Sequence, residues 1–301
     1  MISINAKNKF LRHCKFGLNL SEHTLRAYHG DLDDARRHLG RRGKLEDVRE
    51  EHLRRYIEHL REARQLKETT VKRRLASLKL FFKWAKTSKI IATDPFASLN
   101  ERIRLPKRLP RALDRGDREV LRSALTLRPR TDDFNAIRGK TAVHLLLDTG
   151  IRVGELAAIE LRDLSLTDRT LLIHGKGNRQ RLVYLLHRPL YLKMEKYLAF
   201  RTAVDTTSDR LFVSVTGKPV KPAAVRRELR NIYEEAGVTR HVTPHMLRHT
   251  CATQWLEAGL DIRYVQKLLG HHSISTTEIY THVSDQALRE ALLRATEGGR
   301  R

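Results

Sequence analysis

Apolar residues recur every three or four positions over residues 1–100, where glycine, proline and runs of β-branched residues are scarce. This period is typical of amphipathic helices and predicts four of them. The predicted helices cover residues 3–17, a segment from Ser21 to about Gly40, residues 46–65, and a segment beginning at Thr69 or Thr70 with Val71, Leu75, Leu78, Phe82 and Ala85 on one stripe. We therefore expect residues 1–100 to form a small all-helical domain.

The hydrophobic pattern changes after residue 111. Residues 170–185 have β-forming residues on both sides of Gly175-Lys176-Gly177-Asn178, which predicts a β-hairpin, and residues 211–215 predict a further strand. Helices are predicted at 115–126, 134–149, 153–159, 189–202, 221–236, 244–258, 261–269, 274–282 and 285–295. Gly150 directly follows one of these helices and suits a left-handed helix end. The predicted fold class is mainly α with a small β-hairpin or sheet.

Residues 101–111, with the sequence ERIRLPKRLPR, separate the two patterns. Their two prolines disfavour both helix and sheet, so this segment is predicted to be a basic interdomain linker. The predicted organisation is a domain at 1–100, this linker, a second domain at 112–284, and a C-terminal helix and tail at 285–301.

The chain has 301 residues, with 59 Lys and Arg against 35 Asp and Glu, which gives a formal net charge of +24. The excess is present in both domains, and it indicates a polyanionic partner, either nucleic acid or an anionic membrane surface. No apolar run is long enough to span a membrane, and residues 1–10 lack the apolar core of a secretory signal. The only two cysteines, Cys14 and Cys251, are far apart, so we expect no disulfide framework and a reduced, cytoplasmic location.

The last predicted helix of the first domain has basic residues largely off its apolar stripe. Such a face is either a solvated surface or a nucleic-acid contact, and the net charge of the chain favours the second interpretation. The linker could follow a phosphate backbone, so the two domains could close around a duplex. The candidate DNA-binding residues are Lys72, Arg73, Lys79, Lys83, Lys86, Lys107 and Arg108.

The strongest chemical signal lies between Thr243 and Val283. Thr243 and Pro244 predict a helix start, after which His245 and Arg248 share one helical face at i and i+3. A neighbouring apolar stripe of Leu247, Cys251, Trp255 and Ala258 is predicted to hold this helix against a core. Two further motifs follow, Leu-Gly-His ending at His271 and Tyr-Thr-His beginning at Tyr280. Upstream, Thr-Gly-Ile-Arg-Val-Gly-Glu-Leu places Arg152 three residues before Glu155.

Taken together and in this order, these motifs resemble those of the tyrosine recombinase (phage integrase) family, and within it the Xer-like two-domain site-specific recombinases. The resemblance covers nearly the whole chain. It implies an N-terminal helical core-binding (SAM-like) domain and a C-terminal tyrosine-recombinase catalytic domain. It also implies that the catalytic residues are Arg152, Lys176, His245, Arg248, His271 and Tyr280, with Glu155 in a supporting position.

The activity implied by the resemblance is site-specific cutting and rejoining of DNA through a 3′-phosphotyrosine at Tyr280. Two arginines suit the two non-bridging phosphate oxygens, because guanidinium groups give forked and permanently charged hydrogen bonds. We expect His245 to act in general acid–base catalysis, His271 to bind a phosphate oxygen and Lys176 to protonate the leaving 5′ oxygen. No cofactor is expected, since the covalent link conserves the phosphodiester energy without ATP or metal.

Three other interpretations stay open at this point. His245 with His249, and His271 with His272, could hold zinc, but Met246 stands where a metalloprotease helix needs glutamate, so no metal is expected. A non-catalytic DNA-binding protein and a type IB topoisomerase are the two alternative functions.

The expected partner is duplex DNA bearing a specific recombination site. Residues 285–294 have an apolar helical stripe that could pack on its own domain; the resemblance favours docking onto a neighbour in a DNA-bound tetramer. That tetramer could contain one recombinase or two related ones. The motifs do not separate chromosome-dimer resolution from mobile-element integration or excision.

Overall fold

The computed structural model of the chain describes residues 2–40, 44–99, 112–126, 133–175, 179–238 and 240–270, together with residues 289, 292, 293 and 296. The chain divides into two compact units, Met1–Arg108 and Leu109–Arg301. The predicted fold class, mainly helical with a small sheet, is confirmed. The predicted linker at 101–111, with Lys107 and Arg108, lies outside the described residues.

The described part of the N-terminal unit contains four α-helices: α1 Ile4–Phe16, α2 Glu22–His38, α3 Glu50–Glu58 and α4 Glu68–Thr87. The continuous helix predicted over 46–65 is wrong, since Leu45–Asp47 is a 3₁₀ turn and α3 passes into a π-helical turn at His59–Ala63. Two residues with extended backbones, Val48 and Arg49, separate the two turns. The side chain of Val48 is buried in the core. The backbone N–H of Arg49 donates to His52 Nδ1 at 3.1 Å, and this contact caps the start of α3.

The faces of these helices meet in one apolar core. Ser3 and Ser21 accept hydrogen bonds from the first turns of α1 and α2, which starts both helices at the residues where the apolar period begins. The largest fully buried side chains of the unit are Phe10, Leu32, Leu53, Tyr56, Leu60, Leu78, Phe81 and Phe82. The four-helix prediction for this domain is therefore confirmed in number and in the identity of its core stripe.

The C-terminal unit is built around one helix that is buried on nearly every side, α6. The helices of this unit are α5 Arg115–Thr126, α6 Phe134–Thr149, α7 Val153–Leu156, α8 Arg188–Arg201, α9 Pro222–Glu235, α10 Pro244–Glu257 and α11 Ile262–Leu269. Helices α5, α8, α9 and α10 all pack against α6. The central position of α6 matters for function, because its C-terminal end leads directly into the Thr-Gly-Ile-Arg motif.

A small antiparallel sheet of three strands, in the order β1-β2-β3, belongs to the same unit. Its strands are β1 Leu164–Ser165, β2 Thr170–His174 and β3 Gln180–Tyr184. The predicted hairpin is present as β2 and β3, with Leu172 opposite Leu182, and residues 176–178 at its tip lie outside the described residues. The short β1 was not predicted.

The strand predicted at 211–215 is wrong. Leu211, Phe212 and Val213 are buried in succession, without the alternation of a half-buried strand, and only Val213 forms a bridge, an isolated one with Pro219. The chain turns back at once, because the backbone N–H of Ser214 donates to the Lys218 carbonyl at 2.8 Å. A segment that reverses so soon cannot continue as a strand.

The two helices predicted near the C-terminus are described only in part. The helix predicted at 274–282 lies outside the described residues, whereas residues 289, 292, 293 and 296 are helical. Within the ranges given above, no helix is both long and apolar enough to cross a membrane.

Candidate active site

Helix α10 holds its functional face in place through a cap and an apolar anchor. Thr243 accepts a hydrogen bond from the Met246 backbone N–H at 3.3 Å, and Pro244 opens the helix. Leu247, Cys251 and Trp255 are buried, as predicted, whereas Ala258 at the end of the predicted stripe is exposed. The helix is therefore fixed on the side next to Arg248.

Arg248 is buried, with only 7% of its surface exposed, and its guanidinium joins two helix ends. Its Nη1 donates to the Gly150 carbonyl at 2.7 Å and its Nη2 to the Leu269 carbonyl at 2.6 Å. These carbonyls lie at the C-terminal ends of α6 and α11, where unpaired backbone oxygens carry partial negative charge. The arginine is thus oriented by dipoles.

The two helix ends can meet here only because glycine follows each of them. Gly150 and Gly270 both have left-handed backbones, with φ of +61° and +64°. A Cβ on Gly150 would lie 2.7 Å from Leu269 Cδ2, too close for any side chain. The left-handed end predicted at Gly150 is confirmed, and it is what brings the Gly150 carbonyl within reach of Arg248.

Arg152 and Glu155 form a reciprocal contact at the start of α7. The Arg152 Nη1 donates to Glu155 Oε1 at 2.8 Å, and the Arg152 backbone N–H donates to Oε2 at 2.8 Å. The side chain of Glu155 is 8% exposed and that of Arg152 is 41% exposed. Glu155 therefore holds an arginine whose outer side faces solvent.

A third arginine, Arg181 of β3, also contacts Glu155, with its Nη2 2.7 Å from Oε2. Burial and then the nearby charge of Arg152 lower the pKa of Arg248 to about 10, and Arg181 adds to that effect. Burial alone would raise the pKa of Glu155, but hydrogen bonds from Arg181 and Arg152 and the charge of Arg181 outweigh burial and lower it. Arg152 and Arg181 share this carboxylate, whereas Arg248 is held by carbonyls, so the cluster of three arginines keeps two positive charges and suits an anion.

The structure brings together Arg152, Glu155 and Arg248 of the predicted site. His245 lies on the first turn of α10, three residues before Arg248, and is exposed. Lys176, His271 and Tyr280 lie outside the described residues. Arg181 was missed by sequence reasoning, although alternation along β3 places it on the same side as the buried Val183. An inward-facing arginine on a strand was the available signal.

The predicted DNA-binding residues of α4 are all exposed at the surface of the N-terminal unit. They are Lys72, Arg73, Lys79, Lys83 and Lys86. Arg73 differs from the lysines in also forming an ion pair with the buried carboxylate of Asp31.

Among the residues that the structure describes, one group could hold a metal ion: His144, Asp148 and His187. His187 Nδ1 lies 2.7 Å and His144 Nε2 lies 3.1 Å from the same oxygen of Asp148, and Arg122 lies 3.6 Å from the other. The carboxylate thus already has three hydrogen-bonding or charged partners. This group does not include either histidine of the zinc pair proposed on α10.

Comparisons with known proteins match both units. The profile of the phage integrase family matches residues 120–287, and that of the phage integrase N-terminal SAM-like domain matches residues 8–89. A tyrosine recombinase of Agathobacter rectalis is 31% identical, with 95% of this chain and 94% of the relative covered. The tyrosine recombinase XerC of Listeria innocua is 34% identical, with 96% of each chain covered.

Solved structures show the same fold. XerH site-specific recombinase bound to a palindromic difH substrate has a TM-score of 0.71 at 23% identity, with 95% of this chain and 83% of that chain covered. A lambda integrase dimer bound to a COC′ core site has a TM-score of 0.69 at 20% identity, with 93% and 100% covered. With the family profiles and the near full-length relatives, the conclusion is that this chain belongs to the phage integrase family and is a tyrosine recombinase, an enzyme that breaks and rejoins DNA strands.

Proposed function

We propose that this recombinase acts at a specific DNA site through a 3′-phosphotyrosine formed by Tyr280. The observation that carries the proposal is the state of Arg248, a buried arginine held by two backbone carbonyls. Carbonyl dipoles orient the guanidinium without cancelling its charge, so the charge stays available to an anion. Arg152, whose side chain is partly exposed, supplies a second guanidinium for the same phosphate.

In the proposed reaction, the Tyr280 oxygen attacks the phosphorus of one DNA strand, and the bond from phosphorus to the 5′ oxygen breaks. Arg152 and Arg248 bind the two non-bridging oxygens, on which charge builds up in the transition state. Lys176 gives its proton to the departing 5′ oxygen. Attack by the 5′ hydroxyl of the partner strand then reverses these bond changes and releases the tyrosine.

The two histidines complete the proposed chemistry. We assign His245 to general acid–base catalysis, and its exposed position one helical turn from Arg248 supports that role. His271 is assigned to a phosphate oxygen. Since each intermediate keeps the energy of the phosphodiester, neither ATP nor a metal ion is needed to reseal the strands.

The α4 lysines are proposed to contact the DNA backbone, together with Lys107 and Arg108. The exposure of the α4 lysines and the net charge of +24 support a large electrostatic contribution to binding. Backbone contacts position a duplex without reading its sequence. We therefore expect this surface to determine affinity, and other residues to determine the site.

We further propose that the chain works in the cytoplasm as a tetramer on DNA, formed with itself or with a related recombinase. In the isolated chain, Leu292 is buried with Trp255 and Leu268 of its own unit, which supports a cis position for this part of the C-terminal segment before assembly. Lambda integrase has been solved as a tetramer bound to a Holliday junction. Exchange of this C-terminal segment between protomers would couple each active site to assembly.

The test is covalent trapping. The protein is incubated with a pool of nicked duplexes made from its host's DNA, denatured in detergent, and the DNA attached to protein is sequenced. We expect adducts at one defined sequence, and none with Tyr280→Phe. An unchanged adduct yield with Tyr280→Phe would rule out the assigned nucleophile. DNA binding without any adduct would indicate a non-catalytic clamp, and relaxation of any plasmid regardless of sequence would indicate a type IB topoisomerase.

A further inference from the structure

Arg181 is a buried charge that the proposed chemistry does not use. Its side chain is 10% exposed, on the inward side of β3. A guanidinium removed from water costs free energy unless its donors are satisfied. The partners of Arg181 therefore indicate why this charge lies on the inner side of the strand.

Arg181 binds two separate segments at once. Its Nη2 donates to Glu155 Oε2 at 2.7 Å and its Nη1 to Oε1 at 3.2 Å, which is a forked contact with both carboxylate oxygens. Its Nε donates to the Leu268 carbonyl at 2.7 Å, near the end of α11. One side chain thus joins the hairpin, the α7 start and the end of α11.

The contact with Glu155 has a consequence for Arg152. The two Glu155 oxygens that accept hydrogen bonds from Arg181 also accept hydrogen bonds from Arg152. Its Nη1 donates to one oxygen and its backbone N–H to the other. A forked arginine contact fixes the plane of a carboxylate, which a single hydrogen bond does not. The direction in which Glu155 holds the Arg152 guanidinium therefore depends on Arg181.

The contact with α11 places Arg181 beside Arg248. The carbonyl of Leu268 accepts a hydrogen bond from Arg181, and the next carbonyl, that of Leu269, accepts one from Arg248. A Cβ on Gly270 would lie 3.1 Å from Arg181 Nη1, so the arginine packs closely under the residue that follows the helix. In the sequence, this end of α11 leads directly into His271.

We propose that Arg181 is a positioning residue for strand cleavage: it orients Arg152 through Glu155 and holds the end of α11 against the strand that leads to the Lys176 hairpin tip. This inference rests on the proposed function, since it concerns how the same phosphate site is held. Arg181 does not touch the phosphate in this account. It acts on Arg152, on the end of α11 that precedes His271, and on the strand that follows Lys176.

The experiment measures single-turnover formation of the covalent adduct on a nicked duplex carrying the site mapped by trapping. We expect Arg181→Lys to slow cleavage about 10- to 100-fold, because lysine keeps the charge but loses the fork, and a small displacement of a catalytic group has effects of this size. If Arg181 acts through Glu155, the double variant Arg181→Lys with Glu155→Gln should cleave no more slowly than the slower single variant.

A second substrate separates positioning from mere structural support. A methylphosphonate at the cleavage position lacks one non-bridging oxygen and its negative charge, so correct placement of Arg152 should matter less. We expect the defect of Arg181→Lys to shrink to less than about threefold on this substrate. A purely structural role would slow cleavage of both substrates equally.

Arg162→Gln is the control, because Arg162 also pairs with a glutamate, Glu160 at 2.7 Å, but its own side chain is 82% exposed. It should cleave at the rate of the wild type. The proposal is overturned if Arg181→Lys cleaves like the wild type, if its defect is equal on the two substrates, or if the double variant shows the product of both single defects. Failure of the wild type to form any adduct would instead overturn the proposed function.

Discussion

The two units both bury a carboxylate that two arginines share, but they differ in what lies beside it. In the N-terminal unit, the carboxylate of Asp34 on α2 accepts a hydrogen bond from the Tyr56 hydroxyl and forms ion pairs with Arg64 and Arg74. Asp31 forms an ion pair with Arg73. Burial would raise the pKa of Asp34, but Tyr56 and the two arginines outweigh it and lower the pKa. Each buried anion is matched here, so the network joins α2 to the following helices and the carboxylates need no further ligand.

In the C-terminal unit a third guanidinium, that of Arg248, lies near the shared carboxylate. Arg152 and Arg181 share Glu155, and Arg248 binds only carbonyls among the residues that the structure describes. Positive charge that is oriented but not neutralised is what a phosphate needs, whereas matched charge is what a scaffold needs. Two arginines share one carboxylate in both units, so the feature that distinguishes the proposed binding site from the structural network is Arg248, which carbonyls hold in place of a carboxylate.

The largest effect should come from removing the unmatched arginine. Arg248→Ala takes away a proposed phosphate donor and leaves the carbonyls of Gly150 and Leu269 without this partner. We expect adduct formation to slow by about 10²–10³-fold, in line with the loss of one preorganised transition-state donor. Single-turnover cleavage measures the rate, and thermal melting with DNA-binding titration shows whether the unit still folds and binds.

The control for this prediction is an arginine that is matched by carboxylates in the same unit. Arg240 lies 2.7 Å from Asp117 and 3.1 Å from Asp114. Arg240→Ala should leave the cleavage rate within about twofold of the wild type, because exposed ion pairs contribute little. A rate for Arg248→Ala within tenfold of the wild type would show that Arg248 is not a main donor to the phosphate in cleavage.

Much of this site could be predicted because its parts are local in sequence. The i, i+3 spacing of His245 and Arg248, the left-handed end at Gly150 and the capping contact of Arg152 with Glu155 all join residues at most four positions apart. Helix periods and caps determine such contacts without reference to the rest of the fold. For the same reason, the bounds of α5 and α6 agree with prediction to the residue.

What prediction missed depends on segments that meet only in the folded chain. Arg181 reaches Glu155 across 26 residues and Leu268 across 87, and no local pattern reports either contact. The buried run at 211–213 and the break of the helix at Val48 likewise follow from what packs around them. Tertiary burial overrides local propensity at these places.

The next largest effect is expected on the stability of the C-terminal unit, at Asp148, whose carboxylate contacts His144, His187 and Arg122. Burial would raise the pKa of Asp148, but hydrogen bonds from His144 and His187 and the charge of Arg122 outweigh it, so the pKa is lowered. A carboxyl with a lowered folded-state pKa stabilises the fold above its unfolded pKa of about 3.9 and loses that contribution as the pH falls through its folded value.

Asp148→Asn should therefore lower the free energy of unfolding at pH 7 by about 1–3 kcal/mol, since a neutral amide supports the buried imidazole of His144 and the partly exposed imidazole of His187 less well. The difference in free energy of unfolding between the wild type and this variant should shrink as the pH falls below about 4, because the wild type then begins to lose the contribution of the charged Asp148. Denaturant unfolding at pH 7 and at pH 3 measures both values. An equal penalty at the two pH values would contradict the assignment of a charged Asp148.

A smaller loss is expected at the matched carboxylate of the N-terminal unit. Asp34→Asn weakens the hydrogen bond from Tyr56 and the ion pairs with Arg64 and Arg74, which keep part of their solvent contact. We expect a loss of about 1 kcal/mol in the free energy of unfolding, because partly exposed ion pairs are screened by water. Adduct formation at a saturating concentration of protein should be unchanged. A cleavage defect under that condition would mean that this network does more than support the fold.

The smallest effect should come from a single α4 lysine. Lys83 is exposed on the predicted DNA-binding face, so Lys83→Gln should weaken DNA binding by less than about 1 kcal/mol and equally for all sequences. It should also reduce the slope of log affinity against log salt by about one, because one fewer counterion is released. Lys218→Gln removes the same charge from an exposed turn of the other unit and should leave the slope unchanged. An unchanged slope for Lys83→Gln would show that this lysine is only a solvated residue, and an equal change in both variants would show that net charge, rather than the α4 face, accounts for the salt dependence.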